Sequence, residues 1–232
     1  MMDQPCTYEE LRACLHDIAR VNRLTLAYRP TISWLEALVA ARPVSTRPFR
    51  VVDVGCGYGD TLRQIHAWSA RRSIPVVLTG IDLNPDAIRA AKEATLPSQD
   101  IEWIVGDALS DRSGGEIDVV VCSLLTHHLT DPQIVQFLRW MERTAQHGWF
   151  INDLHRQPLP YHIFRLLSQF TNWHRFVKND GPVSIRRSFV ADDWRRLCAS
   201  AGLEAATVSI KEHRPARLCV ARIKQGTALP VS

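Results

Sequence analysis

Hydrophobic positions along the chain change period several times, and each change marks an element. From Tyr8 to Arg20, Leu11, Cys14, Leu15, Ile18 and Ala19 recur at three- and four-residue spacing, which predicts a helix with one apolar stripe. Residues 31–41 open after Pro30 and bring Ile32, Trp34, Leu35 and Leu38 together, a second helix. A short linker, 42–48, follows. The pattern then shortens to compact apolar runs at 49–54, 75–81, 101–105, 117–122 and 147–152, with helical patterns at 61–69, 85–94 and 131–144. Short strands that are apolar on both faces and alternate with helices call for a parallel sheet covered on both sides.

The last third behaves differently. Residues 158–177 read as helical and aromatic, with Tyr161, Phe164, Phe170, Trp173 and Phe176. A further helix at 189–201 is stopped by Gly202. Two strands, 206–213 and 217–223, flank a turn containing Pro215, so at least one strand at the end of the sheet is antiparallel. Residues 225–232 read as a loose tail.

Composition narrows the class. An apolar fraction of 46% and a charged fraction of 22% in 232 residues suit one globular core and exclude a disordered chain. No apolar run approaches the ~20 residues that span a bilayer, and the start lacks the pattern of a secretory signal, so cytoplasmic residence is the default expectation. The net charge of +4 comes from basic pairs scattered among acidic and apolar neighbours, which argues against a nucleic-acid partner. Six cysteines form no C-x-x-C and lie beside no metal-spaced histidines, so they read as structural thiols.

The chemistry begins at Val51-Val52-Asp53-Val54-Gly55-Cys56-Gly57-Tyr58-Gly59-Asp60, a strand, a glycine turn and a helix start. Glycine lets backbone approach a ligand closely. A dinucleotide site wants a third glycine where Asp60 stands, and an acid there repels a pyrophosphate. Acidic groups at Asp53 and Asp60 suit an ammonium-bearing cofactor instead. Asp82 ends the second strand, where a carboxylate can take two ribose hydroxyls, and Asp107 ends the third, where it can accept from an exocyclic amine. Each acid also has a plain alternative: Asp82 and Asp107 as helix caps, Asp53 as acceptor for turn amides, Asp60 as the cap of its helix.

The ordered set resembles the class I S-adenosylmethionine-dependent methyltransferases, from the glycine motif through Asp82 and Asp107 to the terminal hairpin. More narrowly, Arg29-Pro30-Thr31, Asn152-Asp153-Leu154-His155-Arg156 and Asp180-Gly181-Pro182 are similar to stretches of bacterial small-molecule methyltransferases of polyketide phenol or quinone type. The resemblance implies an α/β, Rossmann-like, seven-stranded, mostly parallel sheet with an antiparallel terminal hairpin, N-terminal helices and a helical lid insertion. It implies one domain, 1–232: a helical cap (1–48), a cofactor-binding core (49–155), an acceptor-side insertion (156–188), a final helix and hairpin (189–223) and a tail (224–232). The cofactor it implies is S-adenosyl-L-methionine, with Asp53, Gly55, Gly57, Gly59, Asp60, Asp82, Leu83, Asp107, Ala108 and Ser123 expected to hold it.

For the acceptor, ligands of an open parallel sheet gather beyond the carboxyl ends of its strands. That places 123–128, 152–156 and the insertion around an aromatic or apolar small molecule. Its O-methylation, on a phenolic or hydroxyquinone-like group, is the favoured chemistry, and C-methylation of an aromatic or enol is the rival. A nicotinamide-dependent oxidoreductase and a non-catalytic cofactor-binding partner protein are the other classes to exclude. Metal-free catalysis is expected: Asn152-Asp153 resembles part of a catechol O-methyltransferase-type metal site, but the acid after the fourth strand is missing from Cys122-Ser123-Leu124-Leu125. His127 or His128 then supplies the base, His128 slightly preferred, with His155 in reserve.

Overall fold

Val51 and Val52 are neighbours in one strand and serve opposite cores. Val51 packs with Leu78, Val119, Val121 and Phe150 beneath one helical layer, and Val52 with Val120, Ile151 and Val220 beneath the other. This alternation, continued through every central strand, makes a three-layer α/β/α molecule. The computed structural model describes residues 6–41, 47–110, 116–157 and 184–224.

In chain order the elements are α1 (Tyr8–Leu24), α2 (Arg29–Ala40), β1 (Phe49–Val54), α3 (Asp60–Arg72), β2 (Val76–Asp82), α4 (Pro85–Glu93) and β3 (Ile101–Val105). There follow β4 (Ile117–Ser123), α5 (Asp131–Thr144), β5 (Ala145–Leu154), α6 (Ala191–Ser200), β6 (Ser209–His213) and β7 (Arg217–Ile223). The sheet has seven strands in the order β3-β2-β1-β4-β5-β7-β6. β1 to β5 are parallel, and β7 runs antiparallel to both β5 and β6. The expected Rossmann-like sheet and its antiparallel terminal hairpin are both present.

Local sequence sets the helix starts. Thr7 and Glu10 form a capping box at α1, and Thr130 with Gln133 does the same at α5, each satisfying amides that a first turn leaves unpaired. Asn84 caps α4 through the Asp86 amide and Pro85 follows in the first turn. α2 and α3 cover one face through Leu35, Leu38, Leu62, Ile65 and Trp68; α5 and α6 cover the other through Ile134, Phe137, Leu138, Trp194 and Leu197.

α1 does something else. It lies on α4, with Leu11 and Leu15 against Ala87 and Ala90. The Tyr8 hydroxyl donates to Glu93 at 2.6 Å, and the Arg89 guanidinium sits 3.8 Å over the Tyr8 ring. The helix runs four residues past the expected end at Arg20, to Leu24.

Other boundaries moved for physical reasons. β5 extends to Leu154 because β7 keeps pairing with it as far as Arg217. The helix expected from Phe189 begins at Ala191, since Phe189 bridges to His155 instead. The strand expected at 206–213 divides into a single turn at Ala205–Thr207 and β6. The aromatic insertion segment 158–177, with Tyr161, Phe164, Phe170, Trp173 and Phe176, lies outside the described residues, as do most of the linker and the tail from 225. No helix among the described residues is long and apolar enough to cross a membrane.

Candidate functional site

β1 and β4 are adjacent in the sheet, but the chain leaves β1 toward β2 and leaves β4 toward β5, on opposite sides. Such a switch point opens a crevice at the strands' carboxyl ends. Here it is a cavity of about 850 Å³, walled by the turn after β1, the ends of β2 to β5 and one face of α1. That volume lies within the usual range of small-molecule sites.

The glycine turn forms its floor. Gly55 and Gly57 have φ of +67° and +51°, a region L side chains avoid. A Cβ on Gly55 would also come within 3.0 Å of the Leu125 side chain. The turn is held from β2: the Gly55 amide donates to the Ile81 carbonyl at 2.8 Å, and the Gly57 amide to Asp82 Oδ2 at 2.9 Å. Gly59 is different, because it does not line the cavity. With φ +72° it turns away, and a Cβ there would overlap the Trp103 ring. At this position the motif packs against Trp103.

Three carboxylates converge on this turn. Asp53 is 1% exposed, and its Oδ1 has no hydrogen-bond partner among the described residues. Burial, and then the charges of Asp60 and Asp82, push its carboxyl well above the usual range. Asp60 accepts from the Tyr28 hydroxyl at 2.5 Å and from Asn22 Nδ2 at 3.2 Å. Asp82 Oδ1 accepts from the Asn84 amide at 2.9 Å; a carboxylate has about four lone-pair sites, so both oxygens keep room for further donors. Asp107 Oδ1 accepts from the Leu109 amide at 2.9 Å in a turn that carries exposed Asp107 and buried Ala108 into the wall. Exposed Leu83 and half-buried Ser123 complete this side.

An orphaned buried carboxylate oxygen among like charges fits a ligand bearing positive charge and rejects a pyrophosphate. The residues present therefore fit S-adenosylmethionine.

On the other side of β1 the wall is built by the turn after β4. Leu124 takes φ +57°, costly for a branched side chain, and reverses the chain so that Leu125, Thr126 and His127 fold back over the end of β5. Asp153 waits there, fully buried. Its Oδ1 lies 2.7 Å from His127 Nδ1 and accepts from the Leu154 amide at 2.7 Å. Its Oδ2 accepts from the Thr126 hydroxyl and from the His127 amide at 3.1 Å. Burial alone would raise this carboxyl, but the His127 charge and the bonds from His127, Thr126 and Leu154 outweigh it and hold it at about 2. Asp153 is thus a permanent anion fixing one nitrogen of a cavity-lining imidazole, which leaves Nε2 to a ligand.

His128 also lines the cavity but is exposed, its ring 4.2 Å from that of His127. His155 does not join them. It is buried beyond the end of β5, bridges to Phe189, and has Nδ1 3.8 Å from Glu212 of β6. The reserve base is therefore turned toward the terminal hairpin and away from the cavity. Asn152 Nδ2 donates to the Ala27 carbonyl at 2.8 Å and Thr31 Oγ1 at 3.1 Å, tying α2 to β5. Asn152 and Asp153 thus serve internal bonds, and no group of three His, Cys, Asp or Glu side chains stands as a metal set among the described residues.

Two features of the wall go beyond the sequence reading, which expected 1–48 as a helical cap without saying which of its residues face the site. The stripe of α1, through Leu11, Cys14, Leu15 and Ile18, lines the cavity and continues to Val21 and Asn22. Its spacing announced a helix, but a stripe facing a ligand space reads the same as one facing a core. Arg217, the first residue of β7, lines the cavity from the far side, and nothing in its local sequence sets it apart.

Comparison with known proteins follows the same line. Residues 51–148 match a family described as a methyltransferase domain. A ubiquinone biosynthesis O-methyltransferase of Ralstonia nicotianae is 31% identical over 179 residues, covering 74% of this chain and 71% of that protein. One of the same description from Cupriavidus pinatubonensis is 33% identical over 116 residues, 48% of this chain and 44% of that one, so this second match spans under half of its relative. Human N-acetylserotonin methyltransferase, solved with S-adenosylmethionine, shares the fold at a TM-score of 0.63 and 16% identity, over 95% of this chain and 57% of that one. The switch-point cavity, its glycine turn with convergent acids and these relatives agree: the chain belongs to the class I S-adenosylmethionine-dependent methyltransferases, among the relatives of the small-molecule, ubiquinone-type O-methyltransferases.

Proposed function

We propose that the protein methylates a hydroxyl oxygen of a small aromatic acceptor, phenolic or hydroxyquinone-like, with His127 as general base and Asp153 as its positioning partner. The observation that carries this reading is the His127 Nδ1–Asp153 Oδ1 contact of 2.7 Å inside the cavity wall. An oxygen acceptor must lose a proton as it is methylated, and an imidazole backed by a fixed carboxylate is suited to take it. The description of the Ralstonia nicotianae relative as an O-methyltransferase of ubiquinone biosynthesis supports the acceptor class.

The donor, when bound, supplies a methyl group on a sulfonium centre, an electrophile that needs an in-line nucleophile held close. The chain's residues do the rest. Asp53 and Asp60 balance positive charge at the glycine turn. His127 Nε2 receives the acceptor's hydroxyl proton, while Asp153 keeps the Nδ1 proton in place and stabilises the imidazolium. Leu125 and the α1 residues Leu15 and Ile18 keep water from the reacting atoms, which strengthens each of these interactions.

His128 is exposed and serves as part of the wall, a change of emphasis from the preference drawn from sequence. His155 has no part in proton transfer. The test is to offer labelled S-adenosylmethionine with catechols, simple phenols, hydroxyquinols and amines, and to determine product structure by NMR. Aryl methyl ethers are expected. Ring-methylated products, or methylation of amines alone, would overturn the reading.

A further inference from the structure

Arg217 is a charged side chain that the methyl-transfer reading leaves unused. It is 6% exposed and lines the cavity. Its Nη2 donates to Asn22 Oδ1 at 2.6 Å, and its Nη1, also buried, has no hydrogen-bond partner among the described residues. Two acids are near enough to act on it, Asp153 and Asp60, yet both are engaged elsewhere: Asp153 by Thr126, His127 and Leu154, and Asp60 by Tyr28 and Asn22. Arg217 forms no ion pair among the described residues, and its one hydrogen-bonded side-chain partner is neutral. An arginine keeps its charge even where burial opposes it, so the wall holds a desolvated cation with an unmet donor.

We infer that Arg217 is a specificity residue that receives a carboxylate substituent of the aromatic acceptor. This rests on the reading of the cavity as a methyl-transfer site. A guanidinium presents a planar fork that matches a carboxylate and forms strong charge-assisted bonds with it. A single negative charge suits the setting, because the acids already in this wall would repel a doubly charged phosphate.

Register sets the Arg217 backbone beside the strand that carries Asp153. Arg217 pairs with Leu154, the residue after Asp153. Its guanidinium reaches Asn22, whose Nδ2 in turn donates to Asp60 beside the glycine turn, so the cation stands between the His127–Asp153 pair and the donor's cationic end. The donor also carries a carboxylate, so the test must separate the two sources.

The test compares 3,4-dihydroxybenzoate with catechol, which differ only in the carboxylate. Binding of each to the wild-type protein saturated with S-adenosylhomocysteine is read by calorimetry, and binding of S-adenosylhomocysteine itself is read in Arg217→Lys and Arg217→Gln. The wild type is expected to favour the benzoate by roughly tenfold or more, a charge-assisted bond's worth. Both variants are expected to lose most of that preference while S-adenosylhomocysteine affinity stays within about threefold.

A wild type that binds catechol and the benzoate alike would overturn the inference without any variant. So would variants that keep the preference but lose S-adenosylhomocysteine affinity about tenfold, since Arg217 would then hold the donor. Carboxylate-dependent binding without methylation of either compound would sustain Arg217's role and sink the methyl-acceptor reading. Methylation of both without a preference would do the reverse.

Discussion

Asp153 shows how one residue can carry structure and chemistry at once. Its carboxyl is held at about 2, against an ordinary value near ~3.9, so the folded state prefers the anion. A depressed acid stabilises the fold fully above its ordinary value, and that contribution is lost as pH falls through the folded value. Between about pH 4 and pH 2 the wild type should therefore lose about 2 kcal/mol that Asp153→Asn never had. Urea titrations across that range check it, the variant showing the shallower decline. Asp82 carries a simpler expectation. If it takes the ribose hydroxyls, Asp82→Ala should weaken S-adenosylhomocysteine binding at least tenfold, since one charge-assisted bond is worth ~1.5–3 kcal/mol. Calorimetry on the folded variant reads this directly, and unchanged affinity would place the ribose elsewhere. Gly59 is the contrasting glycine. Gly59→Ala meets both a positive φ and the Trp103 ring, so it should lower Tm markedly in the ligand-free protein, a loss of stability and not of ligand contact. These three residues also mark what sequence could tell. Asp82 was legible because a strand end and a motif fix its place. Gly59 was read as a cofactor residue, and spacing could not show that its α-carbon packs on Trp103. Asp153 was read as part of a possible metal site, and only the return of the Leu124–His127 turn over β5 makes it the partner of His127.

At the scale of elements, α1 is the piece whose role sequence periodicity left open. Its apolar stripe was plain, but not what it faces. In the fold it rests on α4 through two leucines and two alanines, with Tyr8, Arg89 and Glu93 fastening the outer edge. Farther along the helix, Ile18 and Val21 face the cavity and are only partly buried. A ligand packing on these two residues should therefore raise the cost of opening this helix. Hydrogen exchange is expected to show α1 amides slowed by S-adenosylhomocysteine more than those of α6, which packs in the core and does not line the cavity. Equal protection of both helices would mean that α1 does not cover the donor. The strands were read more accurately than the helices' partners, because a run that is apolar on both faces has one home in an α/β molecule. β5 outgrew its expected range since its ends are held by long-range pairing with β7, which local pattern does not encode.

At the scale of the whole molecule, the topology explains why donor and acceptor chemistry meet where they do. The switch between β1 and β4 sets the acid-rich turn on one side of the crevice and the His127–Asp153 pair on the other. α/β alternation and the final hairpin made the sheet's class legible, while the strand order that juxtaposes residues 53 and 153 emerges only from the closed fold. The same arrangement assigns the halves separate work, so they should fail separately. The most direct measurement is single-turnover methyl transfer to a phenolic acceptor, with enzyme and donor saturating, in the wild type and in His127→Ala. The variant is expected to transfer methyl roughly 10²-fold or more slowly, the usual size of general-base catalysis, while binding S-adenosylhomocysteine within about threefold of the wild type. A transfer rate in His127→Ala close to that of the wild type would contradict the assignment of His127 as the base.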